Sequence, residues 1–195
     1  MKTLLALGCS HTAGVGVAAD QCYVNILAQQ LGLRLENLAV PGGNHSQVQQ
    51  NLCRYIKQHS ADLIIAQWPH PYRMSVWHNN KMSLENINAA SDVFHCMLRA
   101  GTENFIEPWI NSIVVTNLLC QAKSIPVINI LLETQDQYIH QRLAEFDIVL
   151  HQDDKLPGKT WFFDSAAQDG LHHSAACHAR WAQRILEILN EPTSR

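Results

Sequence analysis

The sequence predicts an α/β domain: a three-layer α/β/α sandwich around a central, mostly parallel sheet. Three observations carry that prediction. Short apolar runs alternate with longer stretches of helical period, the pattern of linked βαβ units. The runs at 4–7, 62–68 and 126–132 are apolar almost throughout rather than alternating, as strands covered on both faces are. The chain has 195 residues, 47% of them hydrophobic, and at this length a domain buries roughly 70% of its unfolded surface. One domain over 1–195 is therefore expected, with no disulfide or metal staple.

The elements follow in order. Residues 4–7 form a buried strand that stops at Gly8. Asp20 can cap a helix reaching about Leu31, with Gly32 as its stop and Tyr23, Ile26, Leu27 and Leu31 as its apolar stripe. A second strand spans 34–39 and is closed by Pro41-Gly42-Gly43. The next helix covers 46–59, with Val48, Leu52, Tyr55 and Ile56 on one face. Residues 62–68 are the third strand. The polar stretch 69–90 reads as irregular, and an insertion of that length is often functional. Helical patterns cover 92–99 and 103–123, and 126–132 is the fourth strand. A helix at 136–146, a short strand within 147–150 and a final helix at 174–190 complete the chain. In the last of these, Ala175, Ala179, Ala182, Ile185, Leu186 and Leu189 are apolar. Open parallel sheets bind ligands at the carboxyl ends of their strands. The loops at 8–19, 40–46, 68–80 and 133–136 should thus share one rim.

Composition narrows the function. The net charge is -3 and no run of Lys or Arg occurs, so the basic stripe that nucleic acid requires is missing. No stretch approaches the ~20 apolar residues of a membrane span. The cysteines at 9, 22, 53, 96, 120 and 177 are scattered, with no C-x-x-C, which suits reduced thiols. The apolar part of the N-terminus is shorter than the ~7–15 residues of a secretory signal. A cytoplasmic protein acting on a small molecule is expected, with its oligomeric state left open.

Three rim segments could carry chemistry: Gly8-Cys9-Ser10-His11, Pro41-Gly42-Gly43-Asn44 and Asp169-Gly170-Leu171-His172. A serine hydroxyl is a weak nucleophile until a base takes its proton. His172 suits that task near neutral pH. Asp169, three residues earlier, can fold back to fix the imidazole tautomer and steady the imidazolium, as the acid of a serine triad does. The N–H groups of Ser10 and Gly42 are candidate donors to a developing oxyanion. His11, beside Ser10, reads as structural or substrate-facing, and His173 as a solvated neighbour of the base. His172, His173 and His178 cluster, but without the i, i+4 face of a metal-binding helix; no metal and no cofactor are expected. Gly14–Ala19 spells G-x-G-x-x-A, yet a dinucleotide fingerprint should follow its strand immediately, and residues 8–13 intervene. Of the tryptophans at 68, 77, 109, 161 and 181, Trp68 and Trp77 flank the irregular stretch and could stack on a sugar, whereas Trp181 reads as core.

In these residues the chain resembles the SGNH/GDSL hydrolases, a flavodoxin-like branch of serine esterases. That family's first block, usually Gly-Asp-Ser, is similar to Gly8-Cys9-Ser10. Its second supplies a glycine N–H, matched by Gly42 in N-L-A-V-P-G-G-N. Its last, Asp-x-x-His, matches Asp169 and His172 in D-G-L-H-H-S. The resemblance implies a Ser10-His172-Asp169 triad and an ester substrate, with a small acyl group such as acetyl on a carbohydrate as the expected case. Two departures stand out. Cys9 replaces an aspartate that is not the catalytic acid. The third block normally ends in an oxyanion-binding asparagine, but here the strand runs into Gln67-Trp68-Pro69-His70-Pro71-Tyr72-Arg73. His70, Gln67 or Asn44 could substitute, and Arg73 is a further rim candidate. That missing asparagine keeps a second reading open: a ligand- or glycan-binding module on the same scaffold.

Overall fold

The structure is a computed structural model that describes residues 1–71, 73–78, 81–86, 103–131, 137–151, 167, 169 and 172–191. Its main sheet holds β1 (Thr3–Leu7), β2 (Arg34–Asn37), β3 (Leu63–Trp68), β6 (Val127–Leu131) and β7 (Leu150–His151) in the order β2-β1-β3-β6-β7. Every pairing in it is parallel. Counting only these strands, the order is the 2-1-3-4-5 of doubly wound flavodoxin-like sheets. The direction of winding therefore reverses between β1 and β3, where such folds open a crevice.

Strand pleating divides β1 between two cores. Leu4 and Ala6 face one layer, where Tyr23, Val24, Leu27, Trp181 and Ile185 close over them. Leu5 and Leu7 face the other, against Val48, Leu52, Trp109, Ile110 and Ile113. This alternation is the period-two geometry of a strand. It explains why the central strands are apolar on both faces. The first layer consists of α2 (Tyr23–Leu31) and α6 (Ala175–Asn190), and the second of α3 (His45–Ile56), α4 (Glu103–Ala122) and α5 (Gln137–Ala144). No helix among the described residues is long and apolar enough to cross a membrane. No disulfide joins the described cysteines.

Several boundaries differ from the sequence reading. A one-turn helix α1 (Ser10–Ala13) follows β1 where only a loop was expected. Asp20 does not cap α2; it lies in a 3-10 turn (Ala19–Gln21), and Cys22 precedes the helix. The cap of α3 is Asn44, a residue earlier than the apolar period suggests. Strand β2 ends at Asn37, and its partly exposed residues mark it as an edge strand. Asp147 adopts φ 55, and β7 is described at Leu150–His151 rather than within 147–150.

The largest correction concerns the stretch read as irregular. It contains β4 (Arg73–His78) and β5 (Lys81–Asn86), an antiparallel hairpin with His78 opposite Lys81. The signal was present in Met74-Ser75-Val76-Trp77, a run rich in the residue types that strands favour. The helix expected at 92–99 lies outside the described residues, as do the 133–136 loop and Trp161.

Candidate active site

The first strand delivers Ser10 to the rim through a tightly packed turn. A Cβ on Gly8 would stand 2.4 Å from Thr12 Oγ1 and 2.7 Å from Gln67 Oε1, so only glycine fits. Gln67, fully buried near the end of β3, anchors this turn. Its Oε1 accepts from the Cys9 N–H at 2.9 Å, the Cys9 thiol at 3.2 Å and the Thr12 hydroxyl at 3.1 Å. Thr12 continues to the Tyr23 hydroxyl at 2.8 Å. Ser10 is the first residue of α1, so its N–H has no helical acceptor.

The Gly42 turn is stitched to the same place. Val40 N–H donates to Gly8 O at 3.0 Å, and Leu38 N–H donates to Ala6 O at 2.9 Å. Asn37 Nδ2 reaches Thr12 O at 2.8 Å. Gly42 itself has φ 75, a conformation that strains any residue with a Cβ. An added Cβ there would meet nothing within 4 Å, so this backbone faces open space. The turn's own hydrogen bond runs from Gly43 N–H to Val40 O at 2.7 Å and does not use the Gly42 N–H.

Asp169 and His172 form a pair. His172 Nδ1 lies 2.5 Å from Asp169 Oδ2, and the His172 backbone N–H donates to Asp169 Oδ1 at 3.0 Å. Both carboxylate oxygens thus engage one residue, and Nε2 becomes the ring nitrogen that can take a proton. The ring lies edge-on to His11, with centroids 5.4 Å apart. His11 follows Ser10 directly, so the fold brings the first and last blocks to one point of the rim.

Two neighbouring histidines are not solvated bases. His173 is 2% exposed, contrary to the solvated neighbour expected from sequence. Its ring packs 4.1 Å from His11 and 5.3 Å from Trp181. Burial, reinforced by the surrounding imidazoles, lowers its pKa to about 2. Burial, with the charges of His172 and Arg73, lowers His11 to about 3. A base that weak does not serve proton transfer near pH 7. His178 Nδ1 accepts the Tyr23 N–H at 3.2 Å, and burial brings it to about 4. Among the described residues no three His, Cys, Asp or Glu side chains form a metal-holding group.

The remaining candidates divide. Asn44 is fully buried, and its Oδ1 caps α3 by accepting the Gln47 N–H at 3.1 Å. Its backbone N–H donates in turn to Gln47 Oε1 at 3.3 Å, completing a capping box. His70 is half-buried between β3 and β4, and its carbonyl accepts the Arg73 N–H at 3.0 Å. Arg73 opens β4 just past the end of β3, on the rim that β1 also reaches, and its charge helps lower the His11 pKa. Trp68, a candidate sugar platform, is instead fully buried, with its Nε1 donating to Asn129 Oδ1 at 2.9 Å. Trp181 is core, at 1% exposure. The side chain of Trp77 lies outside the described residues.

Sequence reasoning missed Gly16. It has φ 90, and a Cβ there would stand 2.9 Å from Ala167 Cβ, 3.1 Å from Asp169 Oδ2 and 3.2 Å from His172 Cβ. Part of the G-x-G-x-x-A stretch therefore seats the Asp169-His172 pair. A cleft of about 740 Å³ opens on the Asp169 side, lined by Gly16, Val17, Gln21, Ala167 and Ser174. Gln67 as an anchor was legible in principle, because a lone polar residue in a fully buried strand must find partners.

No family model matches the chain. No curated protein matches it either. Solved structures do. TesA superimposes with a TM-score of 0.63 at 16% identity, covering 97% of this chain and 98% of that one. The psychrotrophic esterase EstA from Pseudoalteromonas sp., inhibited by monoethylphosphonate, gives 0.59 at 14% identity, covering 98% and 100%. An acetylxylan esterase from Geobacillus stearothermophilus gives 0.57 at 15% identity, covering 100% and 97%. A lipolytic protein of the G-D-S-L family from Veillonella parvula is also similar over nearly its whole length. The chain has the α/β/α fold of the SGNH/GDSL hydrolases.

Proposed function

We propose that this chain, built on the SGNH/GDSL hydrolase fold, is a serine esterase with Ser10 as nucleophile, His172 as general base and Asp169 as its orienting acid. The observation that carries the reading is the 2.5 Å Asp169-His172 contact, on a ring that packs against the neighbour of Ser10. His172 Nε2 takes the Ser10 proton as Oγ bonds to the ester carbonyl carbon. The oxyanion is held by the N–H groups of Ser10 and Gly42. The carbon–oxygen bond to the alcohol then breaks, and His172 returns the proton to that oxygen. Water attacks the acyl-Ser10 by the same relay and releases the acid.

The finer substrate assignment is a small acyl ester, with acetyl on a carbohydrate as its model case; the acetylxylan esterase among the similar structures supports that choice. Hydrolysis of p-nitrophenyl acetate by wild type and Ser10→Ala tests the nucleophile, and equal rates would refute it. One observation favours a binding module instead. Strand β3 runs into Pro69-His70-Pro71 where the resemblance expects an oxyanion asparagine. A fluorophosphonate that leaves Ser10 unlabelled, while glycan binding is measurable, would decide for that alternative.

A further inference from the structure

The charge at the rim is unevenly matched. Arg34, Arg142 and Arg184 each pair with a carboxylate on their own surface. Arg73 pairs with no carboxylate among the described residues. Its Nη1 is buried with no hydrogen-bond partner. An ionised donor left in that condition is unfavourable, and binding sites resolve it by supplying the partner with the ligand. Asp169, the acid of the candidate site, has both of its oxygens engaged by His172.

The position of Arg73 is set by the fold. It opens β4 directly after the turn that leaves β3, tied to His70 O at 3.0 Å. Strand β4 packs against α3, whose capped end follows the Gly42 turn. The charge of Arg73 is one of the causes, after burial and His172, that lower the pKa of His11, whose ring lies 5.4 Å from that of His172. Strands β1 and β3 are parallel neighbours, so Arg73, just past the end of β3, stands on the rim that also carries Ser10. Its planar fork suits two parallel hydrogen bonds to a carboxylate.

We propose that Arg73 makes this site selective for esters that carry a carboxylate, which it binds through its half-buried guanidinium. The inference rests on the esterase reading and names its substrate class. It assigns Arg73 to substrate recognition, separate from the oxyanion.

The test compares 4-acetoxybenzoate with its neutral counterpart 4-acetoxybenzamide, for wild type, Arg73→Gln and Arg73→Lys. The ratio of the two kcat/KM values removes effects common to both esters. In Arg73→Gln that ratio should fall by about tenfold to a hundredfold, chiefly through KM, the size of one charge-assisted pair. Arg73→Lys should retain part of it, because it keeps the charge and loses the fork. Added salt should lower the ratio in wild type. An unchanged ratio in both variants would overturn the proposal. So would an equal loss on both esters, which assigns Arg73 to the oxyanion or to folding. Failure of the esterase reading looks different: wild type then hydrolyses neither ester. Calorimetric titration of 4-acetoxybenzoate into Ser10→Ala, with and without Arg73→Gln, reads the anion site without turnover. Binding that does not weaken when Arg73 is replaced refutes it there too.

Discussion

Acidification should destabilise this protein before its carboxylates titrate. His45, His173 and His178 are 8%, 2% and 1% exposed, and burial lowers them to about 4, about 2 and about 4. Each is held neutral by its surroundings. His45 Nδ1 meets Ser112 Oγ at 2.9 Å, and His178 Nδ1 must stay unprotonated to accept the Tyr23 N–H. In the unfolded chain all three return to the ordinary value near 6.5. The folded values lie below the unfolded one, so the unfolded state binds more protons below pH 6.5. Stability is full above that pH and is lost as pH falls from 6.5 towards 4. At pH 5.5 each buried histidine costs about 1.4 kcal/mol, and the three together about 4 kcal/mol. His11, lowered to about 3, adds a similar amount with the same sign. Against a typical domain stability of about 5–15 kcal/mol, that loss is a large fraction. Urea unfolding followed by tryptophan fluorescence at pH 7.5, 6.5 and 5.5 measures it, with Trp109 and Trp181 buried as reporters. Replacing His45 with Gln should flatten the pH slope by about a quarter. A stability that changes by less than about 1 kcal/mol from pH 7.5 to 5.5, or a slope that His45→Gln leaves intact, would refute the reasoning.

Other outcomes follow from single contacts. Gly16→Ala places a Cβ at φ 90 against Ala167 and Asp169; it should cost about 1–3 kcal/mol and lower kcat on p-nitrophenyl acetate, and an unchanged Tm with unchanged kcat would contradict it. Gln67→Leu strips the acceptor from the Cys9 N–H and the Thr12 hydroxyl. A loss of about 2–4 kcal/mol in urea unfolding is expected, and a neutral result would mean that water replaces the amide oxygen. Asn44→Ala removes the α3 cap and should cost about 1 kcal/mol by the same measurement; a loss above about 3 kcal/mol would show a role beyond capping.

Much of the fold was legible because the evidence for it is local. The apolar strands at 62–68 and 126–132, and the helical stripe of Tyr23, Leu27 and their neighbours, declare their faces through periodicity. The ordered blocks around Ser10, Gly42 and Asp169-His172 were legible as well, since each sits at the end of a recognisable element. Short-range boundaries were harder to read. Asp20 and Cys22, or Ser46 and Asn44, compete as helix starts by margins of about 1 kcal/mol, and packing decides between them.

Residue patterns alone established a parallel α/β sheet and the chain order of the segments proposed to carry the chemistry. They could not distinguish side chains of one type with opposite fates. His172 pairs with Asp169 at the rim, while His173 is sealed against Trp181. Trp68 joins the core rather than a sugar site, and Asn44 caps a helix. Arg73 stands on the rim at the start of a hairpin that the sequence reading left irregular. In each case burial and partners come from elements far apart in the chain. Whether a group is charged, neutral or available depends on the solvent and neighbours that folding leaves around it.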